Sequence, residues 1–176
     1  SSYELEGPYG EAGVYSTAEP RPVIQVSCIT HREDPIYRGA LTGVRIPGGM
    51  DEMFVIAMNG LSVLLWNTLQ AQDIPGVLEV AAGSMAVVKI RKTYQGQPRQ
   101  IAAAIWGSRM ALTWAKIVVV VEEGVDIHDP LAVQAAIATH LDPSRDIVTY
   151  PLQMGSYADP SLSLEAQNVD EYGSGL

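Results

Sequence analysis

From Met53 to Leu69 the chain carries no charged side chain, and nearly every residue is apolar. A segment of that length and composition has two homes, a membrane or a protein interior. Asn59, Ser62, Asn67 and Thr68 interrupt it and no basic residues flank it, so the expectation is a buried helix. The loop Pro47-Gly48-Gly49 precedes it, and Asp51 and Glu52 suit a first helical turn, where negative charge meets the positive end of the helix dipole. A helix is expected from there to about Gln70, apolar almost all round and therefore buried on most sides.

Everything else is arranged around that helix. The first fifty residues are rich in Gly, Pro and Tyr and contain one β-branched run, Val23 to Thr30, expected to be a strand. Past the helix come strand candidates at Val77 to Ala81 and Met85 to Tyr94, then a helix from about Arg99 to Trp114. The run Ile117 to Val121 is continuously apolar and β-branched, which predicts a strand covered on both faces. Asp129-Pro130 opens a helix to about Leu141, with aspartate accepting from an orphan N–H and proline at home in the first turn. Asp146 to Thr149 reads as a last strand. The alternation argues for an α/β layer with a largely parallel or mixed sheet. From Pro151 onward Gly, Ser and Pro dominate.

Charge narrows the partners. Lys and Arg number 11 against 20 Asp and Glu, so the net charge is 11 − 20 = −9. Up to Lys116 ten acids balance ten bases, whereas beyond it ten acids face Arg145 alone. Neither part offers the basic face that phosphates require, which argues against nucleic acid and anionic membranes as partners. Cys28 is a single cysteine and cannot form an internal disulfide. No basic-then-apolar leader is read at the N-terminus, so the expected setting is cytoplasmic.

Four constellations could carry chemistry. Glu6-Gly7-Pro8-Tyr9-Gly10-Glu11 places two carboxylates around a glycine-proline turn. Neighbouring carboxylates repel, and one then holds a proton near neutral pH; the alternative is a solvated turn with two ordinary glutamates. Cys28 and His31, three apart on a strand, point to opposite faces, so Cys28 is expected to be a small core residue. Glu122, Glu123, Asp126 and Asp129 suggest a divalent metal but lack calcium-loop spacing, and read better as loop acids and helix caps. Gly39 to Gly49 is glycine-rich ahead of a helix, yet Asp51 and Glu52 would repel a phosphate there.

Taken in order, Glu6 to Glu11, then Ile29-Thr30-His31-Arg32-Glu33-Asp34-Pro35-Ile36-Tyr37, then Leu41-Thr42-Gly43, then Asp142-Pro143-Ser144-Arg145-Asp146, resemble the UbiD family of decarboxylases. Gly173-Ser174-Gly175-Leu176 is similar to the start of that family's C-terminal segment. The resemblance implies the C-terminal part of the UbiD fold. Residues 1–48 would be the β-rich end of a split-barrel domain carrying the glutamate turn, residues 49–155 an α/β domain and residues 156–176 a tail.

It also implies prenylated FMN, supplied by a flavin prenyltransferase and bound mainly by an N-terminal half or partner subunit. A divalent metal, and in some readings potassium, would sit at its phosphate. The implied reaction is reversible decarboxylation of an aromatic or α,β-unsaturated carboxylic acid in a homo-oligomer. On this resemblance Glu6 pairs with an arginine absent from this sequence, and Glu11 supplies the proton after loss of carbon dioxide. Thr42 and Gly43 match a loop beside the flavin, and Lys116 a basic position that reaches the cofactor phosphate. The other reading is a non-catalytic α/β module that keeps the family's dimerising core.

Overall fold

The computed structural model describes residues 2–8, 10–11, 14–15, 18–37, 39, 45–46, 49–50, 52–83, 85–108, 115–151 and 161. The N-terminal region holds short antiparallel pairs. β1 (Tyr3–Glu6) pairs with β4 (Glu19–Pro22), β2 (Gly10–Glu11) with β3 (Val14–Tyr15), and β5 (Arg45–Ile46) with β6 (Gly49–Met50). Among the described residues, the run expected to be a strand at residues 23–30 belongs to no ladder, and its one backbone bond is Val23 N–H to the Ser2 carbonyl, 2.9 Å. Cys28 lies in this run with a free, exposed thiol, which overturns its expected place in a core.

The remainder is a three-layer α/β unit. α1 (Glu52–Ala71) begins where its acids predict. Three strands follow, β7 (Val77–Ala82), β8 (Ala86–Ile90) and β9 (Val118–Glu122), in the spatial order of the chain. β7 and β8 are antiparallel and β8 and β9 parallel, so the sheet is mixed. Three residues separate β7 from β8, and a connection that short can only reverse the chain. β8 reaches β9 through α2 (Gln97–Trp106), the crossover that parallel neighbours require.

α1 and α2 cover one face, where Leu65, Leu69, Ile101 and Ile105 meet Val80, Val88 and Ile90. α3 (Pro130–His140) covers the other, with Val133 and Ile137 against Val87 and Val121. Both faces of β9 are thus packed, as its unbroken valines predict. Ser62 explains one polar interruption of α1: its hydroxyl donates to the Met58 carbonyl at 3.0 Å and accepts from the Ala82 N–H at 2.8 Å, tying the helix to the end of β7.

Several expectations need correction. α1 is buried on one side only: Met58, Leu61, Leu65 and Leu69 face the sheet, while Ile56 and Val63 are each 60% exposed. By length and composition Met53–Ala71 could cross a membrane, but that buried row makes it the packing helix of this sheet. α2 starts two residues before Arg99, because Pro98 sits in its first turn, and it ends at Trp106, where Gly107 N–H closes on the Ala103 carbonyl. β8 stops at Ile90, although the Arg91 N–H still donates to the Gly76 carbonyl at 2.7 Å. The strand expected at Asp146 to Thr149 is absent; instead Asp142 caps a single turn, α4 (Pro143–Asp146).

Candidate functional site

The glutamate turn is built by two strand pairs. Glu6 is the last residue of β1 and stands opposite Glu19 of β4. Like charges across a ladder repel, and Arg21 answers Glu19 directly, Nη2 to Oε2 at 2.6 Å. The chain leaves β1 through Gly7, whose φ of 102° lies in the left-handed region that glycine favours, and a cis Gly7–Pro8 peptide. Gly10 and Glu11 form β2, and Glu11 pairs with Val14 of β3. Each of the two glutamates thus closes a short strand, Glu6 before Gly7-Pro8 and Glu11 after it.

Lys116 precedes β9, is exposed, and its Nζ donates to the Ser161 hydroxyl at 2.5 Å. Thr42 and Gly43 lie outside the described residues. Glu6 thus ends β1 and Glu11 ends β2, and Lys116 stands two residues before β9 of the α/β unit. Cys28 and His31 are both exposed, and His31 Nδ1 donates to the Arg32 carbonyl at 2.7 Å.

The acids after β9 each have a local task. Arg91 forks onto Glu123 Oε2, from Nε at 3.0 Å and Nη2 at 2.9 Å. Asp126 Oδ1 accepts from the His128 N–H at 3.0 Å, and Asp129 Oδ1 accepts from the Leu131 N–H at 2.9 Å, capping α3. Among the described residues no three His, Cys, Asp or Glu side chains converge as metal ligands would.

The sequence reading missed a charged network on the sheet. Glu79 and Lys89 are register partners of β7 and β8, with Nζ to Oε2 at 2.7 Å, and His128 Nε2 donates to the other oxygen, Oε1, at 2.8 Å. Those two hydrogen bonds, Lys89 first and His128 second, hold the Glu79 carboxyl below its ordinary value. The pairing escapes a simple alternation because the register shifts between Val77 and Glu79.

The Asp-Pro-Ser-Arg-Asp run is likewise a self-contained fastening. Asp142 Oδ1 accepts from Ser144 N–H at 3.0 Å and from its hydroxyl at 2.7 Å, while Asp146 Oδ2 accepts from Asp142 N–H at 3.0 Å. Arg145 lies on Asp146 at 2.8 Å and keeps that carboxyl well below the usual range, helped by the Asp142 N–H. Arg99 of α2 donates to the Arg145 carbonyl at 3.0 Å and ties the turn to the α/β unit.

Comparison with known proteins bears on both regions. Residues 56–175 match the model of the 3-octaprenyl-4-hydroxybenzoate carboxy-lyase C-terminal domain, and residues 1–45 match that of the Rift-related domain of the same enzymes. An uncharacterized protein of Archaeoglobus fulgidus is 37% identical over 150 residues, which is 84% of this chain and 31% of that protein. One of Synechocystis sp. is 32% identical over 149 residues, 83% of this chain and 29% of the other. The chain thus spans about a third of the length of these relatives.

Two solved structures show the same fold. The UbiD-class enzyme HmfF of Pelotomaculum thermopropionicum, in complex with FMN, is 30% identical with a TM-score of 0.76, over 91% of this chain and 35% of that one. The vanillic acid decarboxylase of Sedimentibacter hydroxybenzoicus is 28% identical with a TM-score of 0.77, over 91% and 34%.

Proposed function

The chain belongs to the UbiD family of carboxy-lyases, and from that membership we propose that it is the proton-delivering part of a decarboxylase acting on an aromatic or α,β-unsaturated carboxylic acid. The observation that carries the reading is the glutamate turn: a segment matching the Rift-related domain closes β1 on Glu6 and β2 on Glu11 around Gly7-Pro8.

In this reaction the bond between carbon and carboxylate breaks, carbon dioxide leaves, and the electron pair stays on carbon until a proton arrives. Prenylated FMN, when bound, supplies the electron sink for that pair. The chain's own contribution is the proton, delivered from the Glu11 carboxyl to the carbon that lost carbon dioxide. Glu6, at the end of β1, is the pairing carboxylate in this reading. An arginine contributed by the rest of the assembly would balance Glu6.

The donor types in this chain fit part of such a cofactor site. Two carboxylates suit proton transfer, and Lys116, an exposed ammonium already donating to a hydroxyl, suits a phosphate oxygen. Thr42 and Gly43 would line the ring system. The cofactor, the metal at its phosphate, the flavin prenyltransferase that supplies it and a homo-oligomeric assembly all belong to this proposal. The flavin in the HmfF structure and the length of the relatives support it.

The test replaces Glu11 by Gln in the complete assembly. Carbon dioxide release and solvent-deuterium exchange into the product are both expected to disappear while the circular dichroism spectrum stays unchanged. An active Glu11→Gln assembly rules out the role. An assembly with no flavin absorbance removes the decarboxylase reading in favour of a non-catalytic module.

A further inference from the structure

The register of the β1–β4 ribbon sorts its side chains onto two faces. Directly opposed residues share a face and successive residues alternate, so Glu4 and Glu6 of β1 stand with Arg21 and Glu19 of β4 on one side, while Tyr3, Leu5 and two prolines take the other. The first face carries three carboxylates and one guanidinium. Glu6 and Glu19 are direct partners at its end, an arrangement that repels, yet the ladder runs through to them. Arg21 is two residues from Glu19, hence on its side of the strand, and its Nη2 lies 2.6 Å from Glu19 Oε2. It is also the diagonal neighbour of Glu6, a separation of about 7–8 Å that a long side chain can span.

We propose that Arg21, steadied by Glu19, is the positioning cation of the Glu6 end of the ribbon: its charge offsets Glu19, keeps Glu6 ionised across the ladder and so leaves Glu6 able to hold the arginine that the proposed reaction assigns to it. Arg21 touches no reacting atom in this scheme and acts through Glu6. The charges that face Glu6 from this ribbon are Glu4 on its own strand, and Glu19 and Arg21 on the opposing one. The face therefore sums to 1 − 3 = −2. Removing Arg21 takes it to −3 and removing Glu19 to −1, so the two residues pull on Glu6 in opposite senses. The inference rests on the proposed reaction for the use made of Glu6, and on the register and the ion pair for the arrangement of charge.

The experiment follows the glutamate carboxyl carbons of the whole chain, isotope-labelled, by NMR through an acid titration, with the Glu6 resonance assigned by its loss in Glu6→Gln. At low salt Arg21→Gln is expected to move the Glu6 midpoint up by about 0.2–0.5 pH unit and Glu19→Gln to move it down by about as much, the effect of one unit charge across about 5–8 Å of watery surroundings. Arg21→Lys keeps the charge and is expected to recover most of the parent midpoint. Both shifts should fall by about half or more at about 0.5 M salt. In the complete assembly the acid limb of the kcat/KM pH profile is expected to move with the same signs.

Opposite signs separate charge from structure, since a variant that merely loosened the ribbon would move Glu6 the same way in both cases. An unmoved Glu6 midpoint in Arg21→Gln, shifts of one sign in both variants, or an Arg21→Lys chain that behaves as Arg21→Gln overturns the inference. So does an active assembly whose acid limb stays in place while the Glu6 midpoint moves, because Arg21 would then set a charge that the reaction does not use. An assembly inactive in its parent form removes the proposed reaction, and the NMR midpoints then decide by themselves whether Arg21 sets the charge of Glu6.

Discussion

Three glycines of the α/β unit separate the effect of backbone strain from that of steric contact. Gly60 is in the middle of α1, and a Cβ there meets nothing within 4 Å. Gly60→Ala should therefore gain helix propensity, about 0.5–1 kcal/mol. Gly96, which caps α2, has φ +81° and also nothing within 4 Å of an added Cβ. Gly96→Ala meets only the left-handed penalty, about 1–2 kcal/mol.

Gly76 has φ +73°, and its added Cβ would lie 2.3 Å from the Arg91 carbonyl oxygen, a backbone atom that cannot rotate aside. The same strain applies, overpacking adds about 1–3 kcal/mol, and the movement of Arg91 endangers its 2.7 Å hydrogen bond to the Gly76 carbonyl, worth about 1 kcal/mol. Gly76→Ala should thus destabilise by about 3–6 kcal/mol, against a stability of about 5–15 kcal/mol for a whole domain. Urea unfolding followed by tryptophan fluorescence reads the relevant packing, because Trp66 and Trp106 both lie against the main core. The expected order of midpoints is Gly60→Ala, parent, Gly96→Ala, Gly76→Ala. A Gly76→Ala midpoint equal to or above that of Gly96→Ala would show that Arg91 yields freely, and would refute the reasoning.

Two further outcomes follow from single contacts. Asp129→Ala removes the cap on the Leu131 N–H and should cost about 1 kcal/mol, with an unchanged urea slope; Asp129→Asn should recover most of it, and equal midpoints for both variants would deny the cap a role. Glu79 is held below its ordinary value of 4.5, so its contribution is full above that pH and fades as pH falls through the lowered folded value. With its side chain 38% exposed the effect is screened and stays below about 1 kcal/mol. The stability gap between parent and Glu79→Gln should accordingly shrink between about pH 6 and pH 3; a gap that widens on acidification would contradict the assignment.

Features set by neighbours in sequence were legible, and features set by distant partners were not. Asp51 and Glu52 announced α1, Asp129-Pro130 announced α3, and five residues of Ile or Val announced β9, because dipoles, caps and β-branching act within a turn or a strand. The Glu79–Lys89–His128 network depends on a register shift and on α3's entry loop crossing the sheet, neither of which leaves a local mark. At residues 146–149 three β-branched residues form no strand, and the turn that ends at Asp146 is fixed by Asp142, whose side chain collects both donors of Ser144. The glutamate turn was legible from Gly7 and Pro8, but its chemical meaning came from the order of several motifs along the chain.

The distribution of satisfied and unsatisfied surface follows the same division. Beyond Lys116 much of the acidic excess is spent locally: Glu123 on Arg91, Asp126 and Asp129 on backbone N–H groups, Asp142 and Asp146 on each other's turn. These carboxylates fasten the fold and leave little field to organise a reaction. In the first fifty residues the balance is reversed, with charges nearly even and apolar side chains such as Ile24 and Val26 standing in solvent. The turn that carries Glu6 and Glu11 lies within that open part, on strands of four and two residues. A carboxyl acquires a raised proton affinity through burial and through a neighbouring charge held close, and both require the surrounding layer to be present.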